Sequence, residues 1–462
     1  MTERIPASFR DPAGFMFRRE GVLYRQINDR HTDSYGELLK SGLYDELVRH
    51  KLLIPHVEVE VSPAEPDVSS LVIRPDPVRF ISYPFEWCPG QLRAAAEATL
   101  EIQRLAMERG MSLRDASAYN IQFHEGRPTL IDTLSFEPLP DGMPWFAYGQ
   151  FCRHFLAPLA LMKYVDVRLG KLLRTELDGI PLDLTASLLP WRTRLQWGLG
   201  VHLHAHASSQ RRHARGNSGR TPAKGRQLSR RALVSLIESL LAAVKKQQWK
   251  PASSAWRDYY ALRESYSSAA MEGKVELVTR VLRGLPAETV WDLGANTGQF
   301  SRLAAEVTGA HVVSIEMDAS AVELSWRDCQ DAEDARVLPL LNDLSNPTPA
   351  QGWAHEERES LLDRGPVDVV LALALIHHLA IGNNVPLPSL LRWLTSAGKT
   401  VVIEWVPKED PMVQRLLSTR EDVFADYDMN SFEDAAKEHF EIRSKEQVPG
   451  SLRSLYVLER HG

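Results

Sequence analysis

The 462-residue sequence lacks most of the features that mark secreted, membrane-spanning or nucleic-acid-binding proteins. Its three cysteines, Cys88, Cys152 and Cys329, form no spaced cluster, so we expect neither a disulfide framework nor a zinc site. The longest apolar run, residues 367–381, is shorter than a membrane span and contains an acid and two histidines. A formal net charge of −6 is small for this length and favours neither nucleic acid nor membrane as a partner.

The length predicts two or three domains, and one segment predicts where they divide. Residues 206–231 are basic, rich in small polar residues and almost free of large apolar ones. Such a segment cannot offset its ordering entropy by burying apolar surface, so we predict a flexible linker between domains 1–205 and 232–462. Contact of this basic run with nucleic acid or acidic lipid stays open as an alternative. The first residues contain no apolar signal core, and we expect a cytoplasmic protein.

A strand, a glycine turn and a helix are predicted around residue 292. A short apolar run ends in Asp292, Gly294 and Gly298 follow, and a helical pattern begins at Phe300. Such a turn lets the backbone approach a ligand, and the helix start offers N–H groups to a negative group. The spacing is not the G-x-G-x-x-G of dinucleotide sites, which disfavours an NAD-dependent oxidoreductase, and no Gly-Lys-Ser/Thr phosphate loop follows.

Strands and helices alternate from this point onward, which predicts an α/β sheet with its ligand at the carboxyl ends of the strands. The expected strands are 289–293, 311–316, 336–341, 367–374 and 399–405. The second ends in Glu316, and an acid there can accept hydrogen bonds from the hydroxyls of a ribose. The third ends in Asn342 and Asp343, and an acid there can accept a hydrogen bond from the amino group of an adenine. The fourth leads to His377 and His378.

This set of motifs, in this order, resembles the class I methyltransferases that depend on S-adenosylmethionine (SAM), over about 200 residues. The resemblance implies a Rossmann-like seven-stranded sheet that ends in an antiparallel hairpin, here residues 440–445 and 452–459. It also implies SAM as the cofactor. The cofactor-binding residues would be Asp292, Gly294, Asn296, Gly298, Glu316, Asn342 and Asp343.

The expected reaction is direct displacement, because a sulfonium makes its methyl group electrophilic without a metal. The protein must then align an acceptor and, where needed, remove its proton. His377 or His378 is the candidate catalytic base; alternatively, one packs under the cofactor and the other caps the next helix. The acceptor is expected to be a small molecule or biosynthetic intermediate that the sequence does not identify. The residues expected to line its entrance are Asn383, Asn384, Glu404 and Lys408.

A helical segment before the glycine turn carries Trp256, Tyr259, Tyr260, Tyr266 and Lys274. In many methyltransferases a segment at this place folds over the cofactor, and its aromatic rings could stack on the adenine or the sulfonium. Packing between helices is the alternative.

Residues 111–132 resemble the catalytic core of protein kinases and aminoglycoside phosphotransferases. In that core an Asp accepts the substrate proton, an Asn five positions later holds a metal, and an Asp after a short hairpin holds metal and phosphate. Asp115, Asn120 and Asp132 have this arrangement, so they form a candidate phosphotransfer site that would take ATP and magnesium. The resemblance implies an α+β kinase-like domain.

The same segment departs from the family at several positions. Leu113 stands where the family has His, and the third motif is Asp132-Thr133-Leu134 instead of Asp-Phe-Gly. Arg25 occupies the place of the ATP-binding Lys, with Glu37 or Glu46 as its expected acidic partner. A degenerate binding or scaffolding domain is therefore expected over an active kinase, and in that case Asp115 and Asn120 only brace a loop.

Three readings of the whole chain remain. The favoured one is a SAM-dependent methyltransferase joined to a kinase-like domain. The alternatives are a bifunctional kinase–methyltransferase and a non-catalytic adaptor with a SAM-binding fold.

Overall fold

The computed structural model describes residues 2–208, 229–251, 268–418 and 420–461. The chain divides into two compact units, Met1–Lys250 with Gly352–Arg358, and Pro251–Gln351 with Glu359–Gly462. This division lies later than the expected start of the second domain at residue 232, because the helix Arg230–Lys245 packs on the helix Pro89–Glu108 of the first unit. Most of the expected linker, residues 209–228, lies outside the described residues.

The first unit begins with an antiparallel five-stranded sheet in the order β1-β2-β3-β5-β4. The strands β2 and β3 form a hairpin with Phe17 opposite Tyr24. The helices α1 and α2 are separated at Gly42, which adopts φ of +72°. The elements are β1 (Thr2–Arg4), β2 (Met16–Arg19), β3 (Val22–Asn28), α1 (Asp29–Lys40), α2 (Leu43–Arg49), β4 (His56–Glu58) and β5 (Ser69–Pro75).

A long buried helix, α3 (Pro89–Glu108), follows this sheet and leads into two short β-ladders. The inner ladder pairs β7 (Ile121–His124) with β8 (Arg127–Leu130), and the outer pairs β6 (Met111–Leu113) with β9 (Phe136–Pro138). A small sheet, a long helix and paired hairpins that carry polar residues form the kinase-like fold that the sequence predicted. The helices that complete the unit are α4 (Tyr148–Phe151), α5 (Ala157–Tyr164), α6 (Leu182–Leu188), α7 (Trp197–Leu199) and α8 (Arg230–Lys245).

The second unit contains one seven-stranded sheet in the order β12-β11-β10-β13-β14-β16-β15. The five strands from β12 to β14 are parallel, and the last two form an antiparallel hairpin, which confirms the predicted fold class. The strands are β10 (Thr289–Leu293), β11 (His311–Glu316), β12 (Val337–Leu341), β13 (Val367–Ala372), β14 (Gly398–Trp405), β15 (Phe440–Gln447) and β16 (Ser454–Arg460).

Burial explains the two kinds of strand in this sheet. The central parallel strands are apolar almost throughout because helices cover both faces. The edge strand β15 alternates between shielded and exposed positions, because one of its faces meets solvent. The helices are α9 (Ser268–Arg283), α10 (Gln299–Thr308), α11 (Ala319–Asp331), α12 (Leu387–Ala397), α13 (Pro411–Leu417) and α14 (Met429–Lys437). Among the described residues, no helix is both long and apolar enough to cross a membrane.

Candidate functional site

A cleft lies at the carboxyl ends of β10 to β13, at the point where the strand order reverses. Open parallel sheets bind their ligands at this place, because the loops on either side of the reversal separate. Four loops contribute to its wall: the glycine turn after β10, the end of β11, the loop after β12 and the segment after β13. Its polar lining includes Asn296, Glu316, Asn342, Asp343, Ser345, His378 and Asn383.

The turn after β10 contains two glycines because its backbone adopts the left-handed conformation at both positions. Gly294 has φ of +74° and Gly298 has φ of +78°, values that side chains with a Cβ rarely adopt. A Cβ on Gly298 would lie 2.5 Å from Ser325 Oγ, so this glycine also allows the start of α10 to pack closely on α11. Gly294 lines the cleft, where a Cβ would lie 3.1 Å from Leu375 Cδ1. The turn therefore presents bare backbone to the cleft.

Glu316 is fixed at the end of β11 by three backbone donors. Its Oε2 accepts a hydrogen bond from Asn296 N at 3.0 Å, and its Oε1 accepts from Met317 N at 2.6 Å and Asp318 N at 2.9 Å. Burial raises the pKa of this carboxyl, and the three N–H groups oppose that shift. The carboxylate thus joins the glycine turn to the next strand while it faces the cleft.

The loop after β12 positions two more polar groups. Asn342 Nδ2 donates to Thr348 Oγ1 at 2.9 Å, which holds the loop closed. Asp343 Oδ1 accepts from the backbone N–H of Ser345 at 3.0 Å and from its hydroxyl at 2.6 Å. Asn342 is therefore mainly a brace of this loop, whereas Asp343 shapes the wall of the cleft.

Asp292 lies beneath the glycine turn and not in the lining of the cleft. Its carboxyl is 2 % exposed, and Oδ2 accepts a hydrogen bond from Ser301 Oγ at 2.6 Å. Burial raises the pKa of Asp292 from 3.8 to about 6, although the Ser301 hydroxyl and the charge of Lys274 oppose the shift. Asp292 therefore links β10 to α10, and its burial destabilises the ionised carboxylate at neutral pH.

This raised pKa makes the stability of the second unit depend on pH. The folded chain holds the proton of Asp292 more tightly than the unfolded chain, so this contribution is present below pH 3.8 and is lost as the pH rises through about 6. We expect Asp292→Asn to stabilise the protein relative to the parent at about pH 7 by up to about 3 kcal/mol, and much less at about pH 4. Chemical unfolding at both pH values checks this; an equal difference at both would contradict it.

The two adjacent histidines have different environments. His377 is fully buried, and neither of its ring nitrogens has a hydrogen-bond partner among the described residues. His378 lines the cleft, with its ring centroid 4.0 Å from that of His377. Burial, joined by the charge of Arg453, lowers the pKa of His378 to about 4, and burial lowers that of His377 well below its ordinary value. Both rings are therefore neutral near pH 7, and only His378 reaches the cleft.

A buried charge network that the sequence analysis missed lies in the same unit. Lys274 Nζ contacts Glu404 Oε2 at 2.7 Å, and Arg453 lies 3.7 Å from the other oxygen of Glu404. Arg453 also donates to Asp410 from Nε at 2.7 Å. Lys274, Glu404 and Arg453 are 0 % exposed, so each charge depends on the others for compensation. Arg453 lies 43 residues from Asp410 along the chain, a separation no local pattern reveals.

This network corrects one expectation about the entrance of the cleft. Glu404 was expected to face the acceptor, but it is buried against Lys274. Asn383 does line the cleft, whereas Lys408 pairs with Asp422 at 2.9 Å. Lys274 was considered with four aromatic residues, for which covering the cofactor and packing between helices were the two alternatives. Those residues, Trp256, Tyr259, Tyr260 and Tyr266, lie outside the described part of the chain.

The kinase-like residues of the first unit are brought together, but their polar atoms are engaged. Asp115 Oδ1 accepts from Ser117 N at 2.9 Å and from Gln150 Nε2 at 2.8 Å. Burial raises the pKa of Asp115, and the charge of Asp132 adds to the shift. Asn120 and Asp132 both contact the hydroxyl of Ser135. The predicted loop-bracing role of Asp115 is therefore visible in its contacts.

Arg25 forms the central ion pair of this region. Its guanidinium lies 2.6 Å from Asp132 Oδ1 and 2.6 Å from Asp11 Oδ2, and the side chain is only 9 % exposed. The expected partners were wrong, since Glu37 pairs with Lys40 and Glu46 with Arg109. Burial opposes ionisation of Asp132, but Arg25 and the neighbouring donors outweigh it and hold its pKa below the ordinary value.

The sheet order, the glycine turn and the polar strand ends define the second unit as a SAM-dependent methyltransferase fold, here joined to a kinase-like fold. The chain belongs to the family of the nodulation protein NoeA of Rhizobium meliloti (strain 1021). It is 34 % identical to that protein over 474 residues, which cover 99 % of this chain and 96 % of the relative. No family model matches the sequence.

Solved structures with local similarity include two methyltransferases. Magnesium protoporphyrin IX methyltransferase (ChlM) from Synechocystis PCC 6803 is 14 % identical, with a TM-score of 0.33, and the match covers 45 % of this chain and 95 % of that one. The bifunctional kinase-methyltransferase WbdD is 17 % identical, with a TM-score of 0.30, over 46 % of this chain and 43 % of that protein. This match therefore covers less than half of either chain.

Proposed function

We propose that the second unit binds SAM and transfers its methyl group to a small molecule or biosynthetic intermediate. The observation that carries this proposal is the cleft itself. It combines a bare glycine turn, a fixed carboxylate at the end of β11 and an acid after β12 at one switch point of a parallel sheet. The relative NoeA is named a nodulation protein, and we extend that process to this chain as the setting of its acceptor.

The residues present fit SAM part by part. Gly294 offers space where a Cβ would meet Leu375, so the backbone can approach the methionine portion of the cofactor. Glu316 would accept a hydrogen bond from a ribose hydroxyl at Oε2, because that oxygen receives only one backbone donor. Asp343 would accept a hydrogen bond from the amino group of the adenine. Asp292, Asn296, Gly298 and Asn342 hold these loops in place.

His378 is the base that we assign to the reaction. Bound SAM supplies an electrophilic methyl group, so the chain must orient the acceptor and accept its proton when that acceptor is a hydroxyl or amine. His378 faces the cleft and is neutral near pH 7, whereas His377 is enclosed and serves as packing beneath it. Asn383, in the same wall, would help to orient the acceptor.

Calorimetry with the full chain tests the proposal. We expect heat of binding from SAM and from its demethylated product, and none from NAD, because the glycine spacing does not suit a dinucleotide. Binding of NAD without SAM would sink the proposal. Incubation with SAM labelled in its methyl group and a metabolite extract then separates an enzyme from an adaptor, since an adaptor would bind SAM without labelling any product.

The geometry does not favour the bifunctional alternative. Magnesium and ATP need a free carboxylate at Asp132 and an open Asn120. Instead, Asp132 pairs with Arg25 through Oδ1 and accepts the Ser135 hydroxyl at Oδ2. We therefore propose that the first unit is a binding or scaffolding module, and we derive no phosphoryl transfer from it.

A further inference from the structure

One surface of the first unit exposes large apolar side chains that the methyltransferase site does not use. Trp191 is 73 % exposed, Leu195 is 77 % exposed and Trp197 is 79 % exposed. All three lie within seven consecutive residues, in a short helical turn (Trp191–Leu195) and the start of α7. Leu188, at the end of the neighbouring helix α6, is also exposed. We call these four side chains the tryptophan patch.

The side chains of the tryptophan patch are exposed because other residues of the same segment fill the interior beneath it. Its buried members already form a complete interior: Thr193 Oγ1 bonds His204 Nε2 at 2.8 Å, and Leu199 is buried. Gly198 lies where a Cβ would approach Ala243 to 2.6 Å, which fixes α7 tightly against α8. The outward residues of the patch therefore cannot turn inward to replace these contacts.

Basic residues lie in and near the patch. Arg192 and Arg194 alternate with its apolar residues and are exposed. Lys163 on α5 contacts the carbonyl of Lys246, and its neighbour in sequence, Tyr164, donates to Gln196 Oε1 at 2.8 Å. Exposed acids on the neighbouring helices include Asp183 on α6 and Glu238 on α8. The local charge is thus positive, although the whole chain carries −6.

The chain sequence continues this charge bias. From Trp191 to Ile237 there are ten Lys or Arg residues and no Asp or Glu. Six of the ten fall within residues 209–228, which lie outside the described part of the chain and contribute here by composition alone. A patch of exposed Trp and Leu beside a long acid-free stretch differs from an ordinary solvated surface.

We propose that the tryptophan patch docks the protein on the surface of an anionic phospholipid bilayer. Tryptophan places an apolar ring and a polar N–H at the headgroup level, and leucine inserts below it. Each nearby Lys or Arg gains from the negative surface potential. Leu188 and Leu195 favour this partner over a nucleic acid, because aliphatic side chains do not stack on bases. The docking surface is independent of the SAM site.

Sedimentation of the full chain with vesicles tests this proposal. We expect binding to vesicles of phosphatidylcholine with phosphatidylglycerol, weak binding to phosphatidylcholine alone, and weaker binding at high ionic strength. The double variant Trp191→Ser/Trp197→Ser should bind about tenfold or more weakly, because two apolar rings no longer insert. The double variant Arg192→Ser/Arg194→Ser should weaken binding to the anionic vesicles by roughly tenfold.

Trp353→Ser provides the matched control, because Trp353 is 70 % exposed and lies away from the patch in sequence. It should bind vesicles like the parent, and circular dichroism should show that each variant is folded. Failure of the parent to sediment with anionic vesicles would overturn the proposal, as would equal binding by the double tryptophan variant. A dimer that this variant dissociates would assign the patch to a second copy instead. Loss of affinity for a single-stranded RNA oligonucleotide without loss of vesicle binding would assign it to nucleic acid.

Discussion

Replacing Glu316 with alanine is expected to abolish SAM binding by the second unit. In the proposed function this carboxylate accepts a hydrogen bond from a ribose hydroxyl, and a hydrogen bond from a hydroxyl to a charged group contributes about 1.5–3 kcal/mol. Its loss should therefore weaken SAM binding about a hundredfold in calorimetry. The substitution also leaves the N–H groups of Asn296, Met317 and Asp318 without their shared acceptor, so the glycine turn loses its link to β11.

Two further variants separate the ribose contact from general damage. Glu323→Ala removes another buried glutamate of the same unit, one that pairs with Arg327 on α11 and does not line the cleft. This control should bind SAM like the parent. Glu316→Gln keeps the size of the side chain and an oxygen for two of the three backbone donors, yet it loses the charge and one acceptor, so it should fold and bind SAM weakly. If Glu316→Ala bound SAM as tightly as the parent, the assignment of this cleft would be wrong.

The second unit was predictable because each of its signals is local. The central strands of β10 to β14 are buried on both faces, so they stand out as apolar runs, and each predicted boundary lies within a few residues of the observed one. Gly294 was identified from its position after a strand, and the structure places it at φ of +74°. Because parallel strands end at one edge, their terminal residues Glu316 and Asp343 had to lie near each other.

The ion pairs were not predictable, because they join residues far apart in the chain. Glu404 lies near the end of a predicted strand and was expected at the entrance of the cleft, yet it pairs with the buried Lys274, which is 130 residues away in the chain. The sequence analysis predicted Glu37 or Glu46 as the acidic partner of Arg25, whereas its partners in the structure are Asp11 and Asp132. A residue pattern predicts the secondary-structure element on which a charged residue lies and the face that it occupies. It does not predict which residue of opposite charge the fold brings next to it.

Arg25→Met is expected to destabilise the first unit by about 3 kcal/mol and to make its stability depend on divalent cations. The substitution keeps an apolar stem but leaves the half-buried carboxylates of Asp11 and Asp132 without their shared cation. Two such carboxylates repel each other and form an oxygen-rich position that suits a hard cation. Magnesium should therefore raise the melting temperature of the variant and leave that of the parent unchanged.

Arg114→Met is the matched control, because Arg114 approaches Asp11 only to 3.6 Å and its side chain is 30 % exposed. It should cause a small loss of stability and no response to magnesium. The parent chain should also show no change in melting temperature with ATP and magnesium, because the ion pair with Arg25 already neutralises the carboxylate of Asp132. ATP consumption by the parent that disappears in Asp132→Ala would contradict this view, because it would mean that the ion pair opens to admit a metal. An arginine that bridges two carboxylates is thus expected to let a kinase-like fold keep its hairpins, while the acid at the place of the family's metal ligand stabilises the packing of the domain.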